Sequence, residues 1–207
     1  MREGLGWLAT YAAVVQVRPV RLPQDVAALS AMDASFTTNV ILEVTAAADR
    51  FGWAQVPVHP AIFKPNDLAQ ILAAQREWSH AWVAVAEEDL VGFAASWYSS
   101  WNRREVLTHL YVDRSWRRRG AARALLQVVQ DAARQHGARQ VWLETQNVNL
   151  PAVRAYRALG FEVVGLDRTL YDAAVAHEVA LFMAKPLHGG DDGNSNDPGD
   201  AHRSSYR

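Results

Sequence analysis

The chain has 207 residues, half of them hydrophobic, enough for one substantial domain with a sizeable core and short for two. Its 21 Lys+Arg against 22 Asp+Glu leave a net charge of −1, which argues against a general nucleic-acid binder. The absence of cysteine excludes disulfides, thiolate metal ligands, a catalytic thiol and transfer through an acyl-cysteine.

Residues 1–13 read as a loose extension. The stretch Gly4 to Val17 is only mildly apolar and runs into a strand rather than a cleavage site. No run reaches the ~18 apolar residues of a membrane span, so no membrane partner is expected. VVQVRPV reads as the first strand, and Pro23 to Asp33 as a helix with Val26, Leu29 and Met32 on one face. Residues 35–65, with Pro57, Pro60 and Pro65, suggest a strand-loop region, and Asn66 to Arg76 a second helix. Ala81 to Ala86 and Leu90 to Tyr98 are strands joined at EED, and Glu105 to Val112 is a third. Arg119 to Gln135 is an amphipathic helix that Gly137 ends, with Ala122, Leu125, Val129 and Ala132 on one face. Gln140 to Gln146 is a strand, Ala152 to Leu159 a helix stopped by Gly160, and Phe161 to Asp167 and Glu178 to Ala184 are the last strands. The order describes one α/β domain over residues 14–187, with a mixed, mostly antiparallel sheet flanked by helices. Residues 188–207 are rich in Gly, Asp, Asn and Ser and read as a disordered tail.

The chemistry concentrates in VDRSWRRRGAARALL, residues 112–126. A strand ends, a basic loop follows, and Gly120, Ala121 and Ala122 open a long helix. Free backbone N–H groups at such a helix start, with its dipole, suit a pyrophosphate, and small residues let the backbone approach it. Arg117, Arg118, Arg119 and Arg123 add positive charge. A charge run before a helix is also an ordinary solvated loop.

The spacing R-x-x-G-x-A at Arg117, Gly120 and Ala122, after a strand ending LYV, resembles the acetyl-CoA loop of the GNAT superfamily of acetyltransferases. Further on, Asn149, Ala152, Tyr156, Gly160 and Phe161 match the family's second motif, N-x-x-A-x-x-x-Y-x-x-x-G-F. The segments DASFTTN, WNRR, WLETQNVN, GLDRTLYD and ALFMAKP resemble the streptothricin acetyltransferases within it. The resemblance implies the GNAT fold, acetyl-CoA as cosubstrate, and acetyl transfer to the β-lysine amine of streptothricin, with antibiotic resistance as the outcome. It also implies a cytoplasmic location, where acetyl-CoA is found, and leaves open the homodimer common among relatives.

By that resemblance, Leu110, Tyr111 and Val112 lie on a splayed strand whose backbone N–H polarises the thioester. The loop from Arg117 to Ala122 and Arg123 hold the phosphates, while Asn149 and Ala152 meet the cofactor arm. Tyr156 is the general acid, or else a helix residue packing on the sheet; a phenol of pKa about 10 can protonate a thiolate. Many relatives carry carboxylates where this chain reads Leu107-Thr108-His109-Leu110. The base is then His109, with an unperturbed pKa near 6.5, or Glu144 on the next strand, or a water relay; both side chains have bland structural readings as well. Phe36, Thr37, Thr38 and Glu43, with Trp97, Trp101 and Asn102 on a hairpin tip beside them, are expected to wall the acceptor site. His59, His80, His136 and His177 lack ligand-like spacing, so no metal is expected. Three functions compete: a small-molecule amine acetyltransferase, one acting on a protein N-terminus, lysine or polyamine, and a catalytically weak acyl-CoA-binding module.

Overall fold

The computed structural model describes residues 14–47, 50–73, 78–172, 175 and 178–187. The expected N-terminal extension and C-terminal tail lie outside them. Strands β1 (Gln16–Pro19), β4 (His80–Ala86), β5 (Asp89–Ser99), β6 (Arg104–Val112), β7 (Gln140–Gln146), β8 (Glu162–Asp167) and β9 (Ala180–Pro186) form one sheet in the order β1-β4-β5-β6-β7-β9-β8. All neighbours pair antiparallel except β6 and β7.

Helix α3 (Ala121–Gln135) connects β6 to β7, and α4 (Leu150–Ala158) connects β7 to β8. Both crossovers step across the sheet in the same direction, so their common right-handedness puts both helices on one face. Leu125, Leu126 and Val129 of α3 and Leu150 and Val153 of α4 share a buried cluster with Leu107, Val141, Leu143, Leu181 and Met183 of the sheet. Helices α1 (Val26–Ala31) and α2 (Leu68–Ala73) cover the other face, where Leu29, Leu68 and Leu72 pack on Val83, Phe93 and Ala95. Each such large apolar side chain withdrawn from water contributes about 1.5–3 kcal/mol. Among the described residues no helix is long and apolar enough to cross a membrane.

Three expectations need correction. The strand-loop region is a regular hairpin, β2 (Phe36–Ala47) with β3 (Arg50–Lys64), forming a separate two-stranded sheet. Its prolines are tolerated because a two-stranded ribbon leaves each strand one edge that needs no donor. The register also slips between Thr38 and Val40, so residues 58–61, Pro60 among them, bulge out of the ladder. Helix α1 is shorter than its periodicity suggests, because Pro23 and Asp25 belong to the turn before it. Helix α4 starts earlier than expected, because the Asn149 side chain accepts from the Ala152 N–H and caps it.

At the closed end of the sheet, Glu105 on β6 is fully buried. Its two oxygens meet the Ser96 hydroxyl at 2.7 Å and His136 Nδ1 at 2.9 Å, at the C-terminus of α3.

Candidate active site

Strands β6 and β7 run parallel but pair only over Arg104–Val106 and Gln140–Trp142. Beyond that point they diverge, β6 running on to Val112 and β7 to Gln146. A bulge drives the split. Ala95 pairs His109 and Ser96 pairs Leu107, so Thr108 is an extra residue, its hydroxyl donating to the Ala95 carbonyl at 3.0 Å. A bulge bends its strand and shifts side-chain alternation by one. Leu107, Leu110 and Val112 consequently pack toward α3, and Tyr111 toward the opposite core. The Asp113 N–H donates to Val91 of β5 at 3.0 Å. By strand alternation the Leu110 and Val112 N–H groups face the other edge, into the opening that β7 has left.

The loop after β6 is held from three sides. Asp113 accepts from the Ser115 N–H and hydroxyl, shaping a 3-10 turn over Arg114–Trp116. The Arg117 guanidinium donates to the carbonyls of Val112 (3.3 Å), Ala34 (3.1 Å) and Ser35 (2.5 Å). Through Nε and Nη2 that side chain ties the loop to the segment after α1. Arg118 adopts φ of +64°, and the Arg119 guanidinium lies 4.9 Å from the centre of the Trp116 ring. Gly120, at φ +91°, is the N-cap of α3 and has no side chain to satisfy the first-turn N–H groups of Ala121, Ala122 and Arg123. A Cβ on Gly120 would meet nothing within 4 Å. Open space over unsatisfied donors, with Arg118, Arg119 and Arg123 flanking it in sequence, fits the diphosphate of a coenzyme A. Asn149 spends its side-chain oxygen on capping α4, with Ala152 in the first turn.

Five titratable side chains gather at the mouth of the split: Tyr156, Tyr111, Glu144, Tyr171 and Glu178. Tyr156 packs edge-on to Phe161 at 5.6 Å. Burial, then the nearby Tyr111 and Glu144, push its phenol well above the ordinary value, so it stays protonated. Burial and Glu144 raise Tyr111 likewise. Glu144 opens to solvent, but the protein around it raises its carboxyl above the usual range. Tyr171 pulls the other way by donating its hydroxyl to Oε1, and Glu178 adds to the rise. Glu178 is itself buried and ion-paired with Lys64 of β3.

His109 does not belong to this group. Its ring sits 5.4 Å from Trp78, 6.2 Å from Phe93 and 5.8 Å from Tyr111, and its buried Nδ1 has no hydrogen-bond partner. Burial lowers its pKa to about 4. A neutral imidazole of such low basicity is a poor proton acceptor for an ammonium, so the geometry corrects the expected base role of His109 to that of a wall.

The acceptor-side expectations divide. Phe36 and Thr38 are buried, while Thr37 and Glu43 are exposed on β2. Phe36 follows the Ser35 carbonyl that holds Arg117 and pairs with Lys64, which puts this end of β2 beside the loop. Glu43 lies farther out, opposite Ala54. Trp97, Trp101 and Asn102 are at the wrong end. Trp97 pairs with Val106, and Arg103 donates to the Gly137 carbonyl behind α3. The length of β6, roughly 26 Å at ~3.3 Å per residue, separates that hairpin tip from the loop. Trp101 is 86% exposed. From that hairpin tip the chain must travel the whole of β6 to reach the site.

Sequence reasoning also missed Asn147, buried after β7. Its side chain donates to the Leu42 carbonyl at 2.8 Å and accepts from the Val179 N–H at 2.8 Å. Its backbone N–H donates to Val179, and its carbonyl accepts from Leu42. It joins β2, β7 and the approach to β9 around the opening. Tyr171, Glu178 and Lys64 were likewise unassigned, although Tyr171 and Glu178 stand within or next to segments that carried the resemblance.

Residues 47–161 match the Acetyltransferase (GNAT) family. The chain belongs to this family. It is 38% identical to the streptothricin acetyltransferase of Streptomyces lavendulae over 86% of this chain and 97% of that one. The crystal structure of nourseothricin acetyltransferase superposes with a TM-score of 0.74 at 39% identity, covering 84% of this chain and 99% of the other. A Bacillus anthracis protein solved in complex with acetyl coenzyme A superposes at 0.70 and 22% identity, over 84% and 98%, a likeness of fold. As a GNAT N-acetyltransferase, the chain uses acetyl-CoA as its acyl donor, and the split sheet and capless α3 are the two features suited to hold it.

Proposed function

We propose that this GNAT enzyme acetylates a primary amine of streptothricin in the cytoplasm, by direct attack in a ternary complex, and so confers resistance to the antibiotic. The carrying observation is identity to the Streptomyces lavendulae enzyme spread over nearly the whole length of both chains. Bound acetyl-CoA supplies an acetyl group already activated as a thioester. The N–H groups of Ala121, Ala122 and Arg123 hold its phosphates, with Arg118 and Arg119 contributing charge. Leu110 and Val112 offer N–H donors where an oxyanion develops. Glu144, exposed and with its proton affinity raised, accepts the proton of the acceptor ammonium. Tyr156, kept protonated, is the proton donor to the leaving side. Phe36 and Thr37 with the Tyr171 segment form the acceptor walls.

Thiol release from acetyl-CoA tests this, with streptothricin, a polyamine and a lysine peptide in parallel; a chain without cysteine contributes no background. Release with streptothricin alone is the expected result. Release only with another amine keeps the chemistry and discards the acceptor, and cofactor binding without release from any amine discards the enzyme reading for these acceptors.

A further inference from the structure

The connection from β8 to β9 carries a tyrosine whose hydroxyl has no task in the proton transfers as described. It is pinned at both ends. After β8, Asp167 Oδ1 accepts from both the Thr169 N–H and hydroxyl at 2.7 Å, fixing a tight turn. Before β9, the Asn147 side chain and backbone clasp Val179. Between these anchors Tyr171 reaches back to β7 and donates its hydroxyl to Glu144 Oε1. Among the described residues, no hydrogen bond engages Glu144 Oε2. A carboxylate on a strand can turn about its last bonds; with one oxygen held, that rotation is restrained and the other oxygen is left to meet an incoming N–H.

We propose that Tyr171 is a positioning residue for acetyl transfer, orienting the Glu144 carboxylate at the mouth of the split strands so that Oε2 faces the acceptor amine. This rests on Glu144 being the base. The groups facing Glu144 are Tyr171 and Glu178 from this connection, Tyr111 from β6 and Tyr156 from α4, with Lys64 of β3 on Glu178. Tyr171 supplies the hydrogen bond that favours the charged carboxylate, against the partial desolvation by the protein around it and Glu178, which favour the neutral acid. Its hydroxyl thus sets both the direction of the base and the pH at which it is available.

The test is the pH dependence of kcat/KM for streptothricin in the wild type, Tyr171→Phe and Glu144→Gln. Removing the hydroxyl takes away a bond to the charged form, so the Glu144 pKa rises and the acid limb moves to higher pH. The expected shift is about one unit, the tenfold that one such bond is worth. KM for acetyl-CoA should stay within about twofold, which shows that the fold and the phosphate loop are intact. Glu144→Gln should lose the acid limb altogether. If it does and the Tyr171→Phe profile superimposes on the wild type, Tyr171 is only structural and the inference fails alone. If Glu144→Gln keeps the limb, the base assignment fails and takes the role of Tyr171 with it.

Discussion

The two ends of β6 belong to one strand and do opposite things. At Arg104–Val106 the strand is paired on both sides, and Glu105 is sealed between Ser96 and His136 with every oxygen engaged. At Leu110–Val112 the strand has a partner on one side only, and the loop beyond it presents donors without acceptors. The closed end engages the Glu105 carboxylate within the protein; the open end leaves backbone donors for a ligand. The single extra residue at Thr108 separates the two regimes.

Substitutions should separate them as cleanly. Gly120→Glu, at the open end, fills the space over the helix start and adds a negative charge to a φ of +91°. Acetyl-CoA binding measured by calorimetry should fall by more than about a hundredfold, since the anion then meets both a clash and a like charge; unchanged affinity removes the loop from the cofactor site. Tyr156→Phe should lower kcat by on the order of a hundredfold, with affinity for acetyl-CoA nearly unaltered, because it deletes a proton donor and no volume. Full activity in that variant would return Tyr156 to packing.

Glu105→Ala, at the closed end, should show the reverse signature. It leaves the buried Ser96 hydroxyl and the partly exposed His136 without their partner, at a cost of about 1–3 kcal/mol, read as a lower unfolding midpoint in denaturant. The remaining folded enzyme should keep its kcat. A large loss of kcat at constant stability would mean the two ends are coupled. His109→Phe probes the aromatic wall between them. With a pKa of about 4, His109 is already neutral throughout the working range and charges only below it. The pH–rate profile between about pH 5.5 and 9 should therefore keep its shape, with the rate within about threefold. A lost limb in this variant would restore His109 as the base.

What could be read in the sequence was what is local. Arg117, Gly120 and Ala122 announce a loop and helix start because the backbone there dictates small residues at fixed spacing, and Gln140–Gln146 reads as a strand from its own alternation. The β2–β3 hairpin did not read clearly, because proline is scored against strands and only the pairing shows that its edges are free. The partners of Glu144 were hidden for another reason: Tyr171 and Glu178 come to it through a connection whose path is fixed by Asp167 and Asn147, contacts with no periodicity. The aromatic surroundings of His109 are equally invisible in the sequence, because a solution pKa says nothing about the rings of Trp78 and Tyr111 that pack on it.

The β2–β3 hairpin has a consequence for how such enzymes diversify. Its strands pair with each other and are fastened to the body through Asn147 on Leu42 and Arg154 on Gln55. Residues can be added or removed toward its turn without breaking a ladder of the main sheet, so the hairpin can change length while the split strands and the α3 start stay fixed. Length change in this ribbon is therefore mechanically separate from the main sheet, which evolution can leave untouched.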